Sequence, residues 1–324
     1  MTLNRRLFAG GSLAALCWPH LAAAQDAYPS RAIRFIVPAP PGALSDSIPR
    51  VIANDIAASL KAQVVVENRP GAGGAVGTAA FVARPADGYG LLLGTTGTMA
   101  FNPVLLPAQS YDTTRDLVGV AQAAVSPLYL VVKADSPHRS LADLARAARA
   151  APGQLAYGTI GNGSTSAIAG ALLAKDMGLQ LLDVPFGGYA PAITELLGGR
   201  MAFLFVDGSS AHRIEEGQLR ALGVTTSRRA ARLPSVPTLK EQGANIDLAT
   251  WFGVYARAGT PPDILARLRA EVRRAIERPA YQQQMAQFGV EPGAVFGEDF
   301  QRFHVAEIER WGKLLPTLGL KPAS

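Results

Sequence analysis

Residues 33–60, IRFIVPAPPGALSDSIPRVIANDIAASL, run from a short apolar stretch through a proline- and glycine-rich turn into a longer amphipathic stretch. The unit returns at residues 63–84, QVVVENRPGAGGAVGTAAFVAR, and LLLGT at residues 91–95 begins a third. Strand, turn and helix in repetition specify α/β architecture with a mainly parallel sheet. Further along, LYLVVK (128–133), LAYGT (155–159), LQLLDVPF (179–186), MAFLFVD (201–207) and LRALGVT (219–225) read as a second series of strands. Helices fall between them near residues 141–151, 165–175, 190–197 and 211–216, and residues 262–318 read as successive helices. Two series predict two lobes, each with its own sheet flanked by helices. No Gly/Ser-rich linker separates the series, so strands crossing between the lobes are expected at residues 125–132 and 250–256.

The chain has 324 residues, 48% of them hydrophobic and 17% charged, which suffices for a large core and excludes a disordered chain. At the N-terminus, Arg5 and Arg6 precede an apolar run from Leu7 to Trp18, and Ala22 to Ala24 form a small-residue cleavage site before Gln25. This pattern predicts a signal peptide over residues 1–24, cleavage after Ala24 and a periplasmic product. The run NRRLFAG also has the form of a twin-arginine signal. Leu16, before Cys17, is larger than the residue a lipid-anchor site normally carries there. Cleavage removes the only cysteine and lowers the formal net charge from +6 to +4, since residues 1–24 hold two arginines and no acidic residue. Disulfides, thiol nucleophiles and thiolate metal sites are thereby excluded from the mature chain. The densest basic cluster, RRAAR at residues 228–232, has no interleaved aromatics, so it reads as a solvated face rather than a nucleic-acid patch.

Motifs for chemistry are absent or incomplete. The glycines at 71, 73, 74 and 77 do not meet G-x-G-x-x-G, because Val76 stands where the third glycine belongs, and a tight turn with close helix-to-sheet packing is the simpler reading. His138, His212 and His304 lack metal-ligand spacing. Asp207, Ser209, Ser210 and His212 look like a triad but crowd into six residues, and no G-x-S-x-G elbow exists. No metal, no cofactor and no catalytic residue is expected. What recurs is a polar turn between strand and helix: PAPPGALSD (38–46), GTTGTMAFN (94–102), TIGNGSTSA (159–167) and PFGGYAPA (185–192). Such turns present backbone N–H groups and hydroxyls, and helix N-termini at the carboxyl ends of strands attract anions without an arginine.

Six ordered motifs carry a resemblance: residues 28–46 (YPSRAIRFIVPAPPGALSD), 64–98, 157–173 (YGTIGNGSTSAIAGALL), 183–207, 233–243 (LPSVPTLKEQG) and 251–262 (WFGVYARAGTPP). Together they resemble the tripartite tricarboxylate transporter substrate-binding proteins, the Bug family, over essentially the whole mature chain. The resemblance implies a two-lobed periplasmic binding protein of the type II, Venus-flytrap form that captures a small carboxylate for a membrane permease or a sensor kinase, and a monomer is expected. Lobe 1 would comprise residues 25–125 and 250–324, and lobe 2 residues 126–249. A secreted α/β enzyme acting on a small carboxylate in the same cleft is the alternative.

By the same resemblance, the first ligand turn spans Ala39 to Asp46 with Leu44 and Ser45, and the second offers Thr96, Thr98 and Asn102. The third comprises Asn162, Gly163, Ser164, Thr165 and Ser166, the fourth Gly188, Tyr189 and Ala190, and Asp207 faces the cleft from the end of a strand. Asp207 either receives a ligand amino or hydroxyl group or caps the helix that follows. Where the family usually has glycines in the first turn, this chain has Ala43 and Leu44, and Tyr189 replaces a small residue. These departures predict a less polar pocket, suited to an aromatic or otherwise partly apolar monocarboxylate.

Overall fold

The computed structural model describes residues 28–106, 108–161 and 163–319. The signal segment, Cys17, the cleavage point after Ala24 and Asn162 lie outside the described residues.

The described residues form ten strands: β1 Ile33–Val37, β2 Val64–Asn68, β3 Gly90–Thr95, β4 Leu117–Lys133, β5 Leu155–Thr159, β6 Leu181–Pro185, β7 Phe203–Asp207, β8 Leu219–Val224, β9 Ala249–Arg257 and β10 Glu291–Pro292. The helices are α1 Leu44–Leu60, α2 Ala75–Val82, α3 Asn102–Leu105, α4 Leu141–Ala150, α5 Thr165–Met177, α6 Tyr189–Leu197, α7 Ala211–Glu215, α8 Pro262–Glu277, α9 Pro279–Gln287 and α10 Gly297–Leu314. Two separate sheets were expected, but the strands form one hydrogen-bonded path, β2-β1-β3-β9-β4-β7-β5-β6, with β8 and β10 also pairing β4. Strand β4 makes the difference. Its first part, Leu117 to Pro127, pairs antiparallel with β9, and from Leu128 onward it pairs antiparallel with β7 and β8. Only the second part reads as a strand in the sequence, because Gly119, Gln122, Ser126 and Pro127 interrupt the apolar run of the first. All four are nevertheless buried, as suits a strand covered on both faces.

The parallel character survives in two trios, β2-β1-β3 and β7-β5-β6, while β4 and β9 run against their neighbours. The segment 250–256 does not itself pair with the second trio. It lies within β9, beside β3 and β4, and the chain passes from the other half just before it, where the Leu248 amide donates to the Thr225 carbonyl at 3.0 Å.

Helix α1 illustrates how the layers form. Ile48, Ile52 and Ile56 recur at four-residue spacing and are all 0% exposed, in one cluster with Ile33 and Phe35 of the sheet and Leu268 and Val272 of α8. Burying each side chain of this kind stabilises the fold by about 1.5–3 kcal/mol. The opposite face is covered by α10, whose Phe300 and Trp311 join Phe101, Tyr255 and Trp251. At the start of α4 the Asp143 amide donates to Ser140 Oγ at 3.1 Å, as the Ser-x-x-Asp spacing predicts. Ahead of α8, which begins at Pro262, the Thr260 hydroxyl donates to the Arg257 carbonyl at 2.8 Å.

Candidate functional site

Because β7 runs antiparallel to β4 while β3 and β4 both run antiparallel to β9, the trio β5-β6-β7 points against the trio β1-β2-β3. Their carboxyl ends therefore face each other across the partner change in β4. The turns after β1, β3, β5 and β6 all lie at these ends, where open α/β sheets bind ligands.

The first turn is built around Asp46. Its Oδ2 accepts the Gly42 amide at 3.0 Å, and its Oδ1 accepts Arg50 Nε at 3.0 Å and Asn68 Nδ2 at 2.9 Å. Asn68, at the end of β2, also donates to the Ala39 carbonyl at 3.1 Å. Burial pushes the Asp46 carboxyl up, but the bonds from Arg50, Gly42 and Asn68 outweigh it and hold the group below the usual carboxylate range. Asp46 thus shapes the turn from within, with Arg50 and Asn68 as partners that the four quoted turns do not include; Asn68 was visible only as part of VVVENRPG. No side chain caps α1, and the amides of Ala43, Leu44 and Ser45 have no partner among the described residues. The Ser45 hydroxyl, half-buried, is likewise without a partner among them. Leu44 is 7% exposed and belongs to the core cluster of Ile48 and Ile52.

The second turn starts in a π-helical segment, Gly97–Phe101, that runs into α3. Thr96 Oγ1 accepts the Trp251 amide at 2.8 Å, and Thr98 Oγ1 accepts the Thr95 amide at 2.8 Å, so both hydroxyls are engaged in the scaffold. Both residues are buried. Asn102 Nδ2 donates to the Gly73 carbonyl at 3.1 Å, which joins this turn to the glycine run. That run is a tight turn, as expected: Gly74 has φ of 91°, and a Cβ on it would lie 2.4 Å from Thr98 Cγ2. Underneath, His304 of α10 meets the Met99 carbonyl through Nε2 at 3.2 Å, and burial pulls its imidazole down to about 4.

The third turn comes up against the second. A Cβ on Gly97 would lie 3.4 Å from the Gly163 carbonyl oxygen, and one on Gly163 would lie 3.9 Å from Asn102 Oδ1. Ser164 caps α5 by accepting the Ala167 amide at 3.2 Å and shares a 2.9 Å hydrogen bond with Ser166, which accepts the Ile160 amide. Thr165 Oγ1 meets Thr250 Oγ1 of β9 at 2.7 Å. The hydroxyls are again engaged within the scaffold. At the fourth turn Gly188 stands at the cap position of α6 without a side-chain cap, and Ala190 is exposed. Tyr189, half-buried, packs against the cluster of Ala192 and Val206.

Asp207 accepts the Ser209 amide at 3.1 Å and the Ser209 hydroxyl, both through Oδ1, and so caps the 3-10 turn at Gly208–Ser210. Its Oδ2 has no hydrogen-bond partner among the described residues. Burial pushes this carboxyl up and the two bonds from Ser209 only partly offset it, while burial and the Asp207 charge together push the Tyr189 phenol well above its usual range. Asp207 and Tyr189 are thus electrostatic neighbours, and the cap does not use up the carboxylate. The apparent triad dissolves: His212 Nδ1 lies 2.8 Å from the Ser209 carbonyl oxygen, and the Ser209 hydroxyl is turned to Asp207.

Known proteins resemble this chain in sequence and in fold. Residues 48–320 match the tripartite tricarboxylate transporter family receptor. A protein of the tcbD–tcbE intergenic region of Pseudomonas sp. (strain P51) is 38% identical over 96% of this chain and 94% of its own. Among solved structures, R. palustris Rpa4515 with adipate superposes with a TM-score of 0.85 at 32% identity, covering 91% of this chain and all of that one (100%). MatC from Rhodopseudomonas palustris with bound malate superposes with a TM-score of 0.79 at 27% identity, covering 88% of this chain and 99% of that one. The chain therefore belongs to the tripartite tricarboxylate transporter receptor family, a family of two-lobed periplasmic solute-binding receptors and not of enzymes.

Proposed function

We propose that this receptor works in the periplasm after cleavage behind Ala24, captures a small organic carboxylate between its lobes, and delivers it to the membrane components of a tripartite transporter. One observation carries the ligand class. The N-terminus of α1 leaves the amides of Ala43, Leu44 and Ser45 without partners among the described residues, while Arg50 on the same helix is turned onto Asp46 and Asn68. A carboxylate there would meet oriented N–H groups and the positive end of the helix dipole rather than a guanidinium. The adipate and malate held by the two structural relatives support the same class.

The lobes are residues 25–125 with 250–324, and 126–249; the partner change at Pro127 and Leu128 and the Leu248–Thr225 bond support these boundaries. Closure is a hinge motion of the two, driven by a ligand that touches both. Preference for a partly apolar carboxylate now rests on Tyr189 alone, since Leu44 is part of the core. Thermal unfolding against aliphatic, hydroxylated, amino and aromatic carboxylates tests the proposal. A ligand at ~100 times its dissociation constant adds about 2.7 kcal/mol to the native state. A shift with a carboxylate that is recovered unchanged is expected; no shift with any of them would sink the reading.

A further inference from the structure

The run RRAAR at residues 228–232 is a solvated face only in part: Arg228, Arg229 and Ala231 are exposed, while Ala230 is buried and Arg232 is half-buried. The segment leaves β8 and ties the second half of the molecule to the first. Arg228 lies 3.3 Å from Glu291 of β10, and Arg232 donates to the carbonyls of Gln287 at 2.7 Å and Ala286 at 3.4 Å, the carboxyl end of α9. Cations there also meet the negative end of the helix dipole. Arg232 is at the same time paired with Glu215 of α7 at 2.9 Å. Between and after the arginines, Ala230, Leu233 and Val236 are buried in the cluster of Tyr129, Val131 and Val206, so the segment is anchored by apolar side chains in the second half and by two guanidiniums to the first. Arg229 stays within the second half, on Glu241 at 2.7 Å.

The segment also has a definite side. Val125 and Pro127 of β4 line a pocket of ≈ 120 Å³ together with Arg228, Asp247 and Glu291. Ser126 alternates to the other face, as does its register partner Thr250, and it is Thr250 that meets Thr165 of the third turn. The arginine segment and the third turn therefore lie on opposite faces of the strand at which the two halves join. Beside them, at the edge of β4, Gly208 and Gly289 touch so closely that a Cβ on Gly208 would lie 1.9 Å from the Gly289 carbonyl oxygen.

We propose that residues 226–232 form a hinge strap, which sets how readily the lobes close without touching the ligand. The proposal rests on the two-lobed receptor reading. In this structure the contacts of Arg228 and Arg232 with Glu291 and α9 coexist with the approach of the third turn to the second, so the strap favours this arrangement of the lobes over others reached by hinge rotation. Loss of its contacts then lowers the population of this arrangement in the absence of ligand.

The test is an interlobe distance distribution from spin labels on the full chain with Cys17→Ser, labelled at Ser59→Cys on α1 and Ala150→Cys on α4, both exposed. Adding Arg228→Ala and Arg232→Ala is expected to populate a second distance and shift the ratio of the two by about tenfold, the scale of losing one charge-assisted hydrogen bond. Arg229→Ala is the control and leaves the distribution unchanged. Superimposable distributions in the double variant and the parent overturn the strap, as does an equal response in Arg229→Ala. Should the double variant not melt cooperatively, Glu291→Gln, which releases only Arg228, is read in the same way. No ligand enters the measurement, so failure of the strap is distinct from failure of carboxylate binding, which shows as an absent thermal shift in the parent protein.

Discussion

Asp46 and Asp207 both stand where a strand gives way to a helical turn, and the family resemblance assigns both to the ligand. Their surroundings separate them. Asp46 is ringed by a guanidinium, a carboxamide and a backbone amide, and its carboxyl is held below the usual range. Asp207 has one serine for a partner and no cation, and burial drives its carboxyl upward. In the first turn both Asp46 oxygens are engaged and Leu44 is drawn into the core, whereas Asp207 uses only Oδ1 among the described residues. Charge type alone does not set the character of a carboxylate; the number and kind of its partners decide it.

The sharpest way to break this contrast is at Leu44. Leu44→Ala is expected to cost about 2–3 kcal/mol, the lower end for a buried leucine, without changing ligand preference. Urea unfolding and the carboxylate panel measure the two effects, and a changed preference at unchanged stability would return Leu44 to the cleft. Asp46→Ala comes next, at about 2 kcal/mol, because the half-exposed Arg50 can turn to water but the bonds of Asn68 and Gly42 are lost. At Thr165, Thr165→Val removes the contact with Thr250 and is expected to cost about 1 kcal/mol. Tyr189→Ser is expected to change ligand preference with a smaller effect on unfolding. The smallest effect belongs to Asp207→Asn, which keeps a capping residue and removes the desolvated charge, for a gain of at most about 0.5 kcal/mol near neutral pH.

The two aspartates also respond to pH with opposite sign. Lowered in the folded state, Asp46 contributes stability that is complete above the usual value of 3.8 and is lost as pH falls through its folded value. Raised in the folded state, Asp207 makes the fold bind more protons than the unfolded chain, so its share of stability declines as pH rises from 3.8 through its folded value. Unfolding free energies across that range should therefore steepen in Asp207→Asn and flatten in Asp46→Ala. Parallel curves for the two variants would remove the electrostatic basis of the comparison.

Much of the architecture was legible in the residues. The alternation of short apolar runs with amphipathic ones located β1, α1, β2 and the strands of the second half, and the turns between them appear where Gly, Pro and Ser cluster. The Ser140 cap and the tight turn at Gly74 followed from spacing and from glycine's freedom. Less legible was which polar atoms remain free. Thr96 looked like a ligand hydroxyl until Trp251, 155 residues away, claimed it, and Thr165 finds its partner 85 residues on. Within the arginine run, the role of Arg232 was hidden because its acceptors on α9 lie 54 and 55 residues away.

By itself, then, the amino-acid sequence determined everything governed by neighbours within a few positions: the strands and helices, their caps, and the family to which their order belongs. Tertiary structure alone decided that one long β4 would join both halves, that Leu44 would turn inward, and that Asp46 and Asp207 would part in character. The physical reason is range. Periodicity and capping act over one helical turn or two strand residues, whereas desolvation and the pairing of a buried polar group depend on segments that only folding brings together.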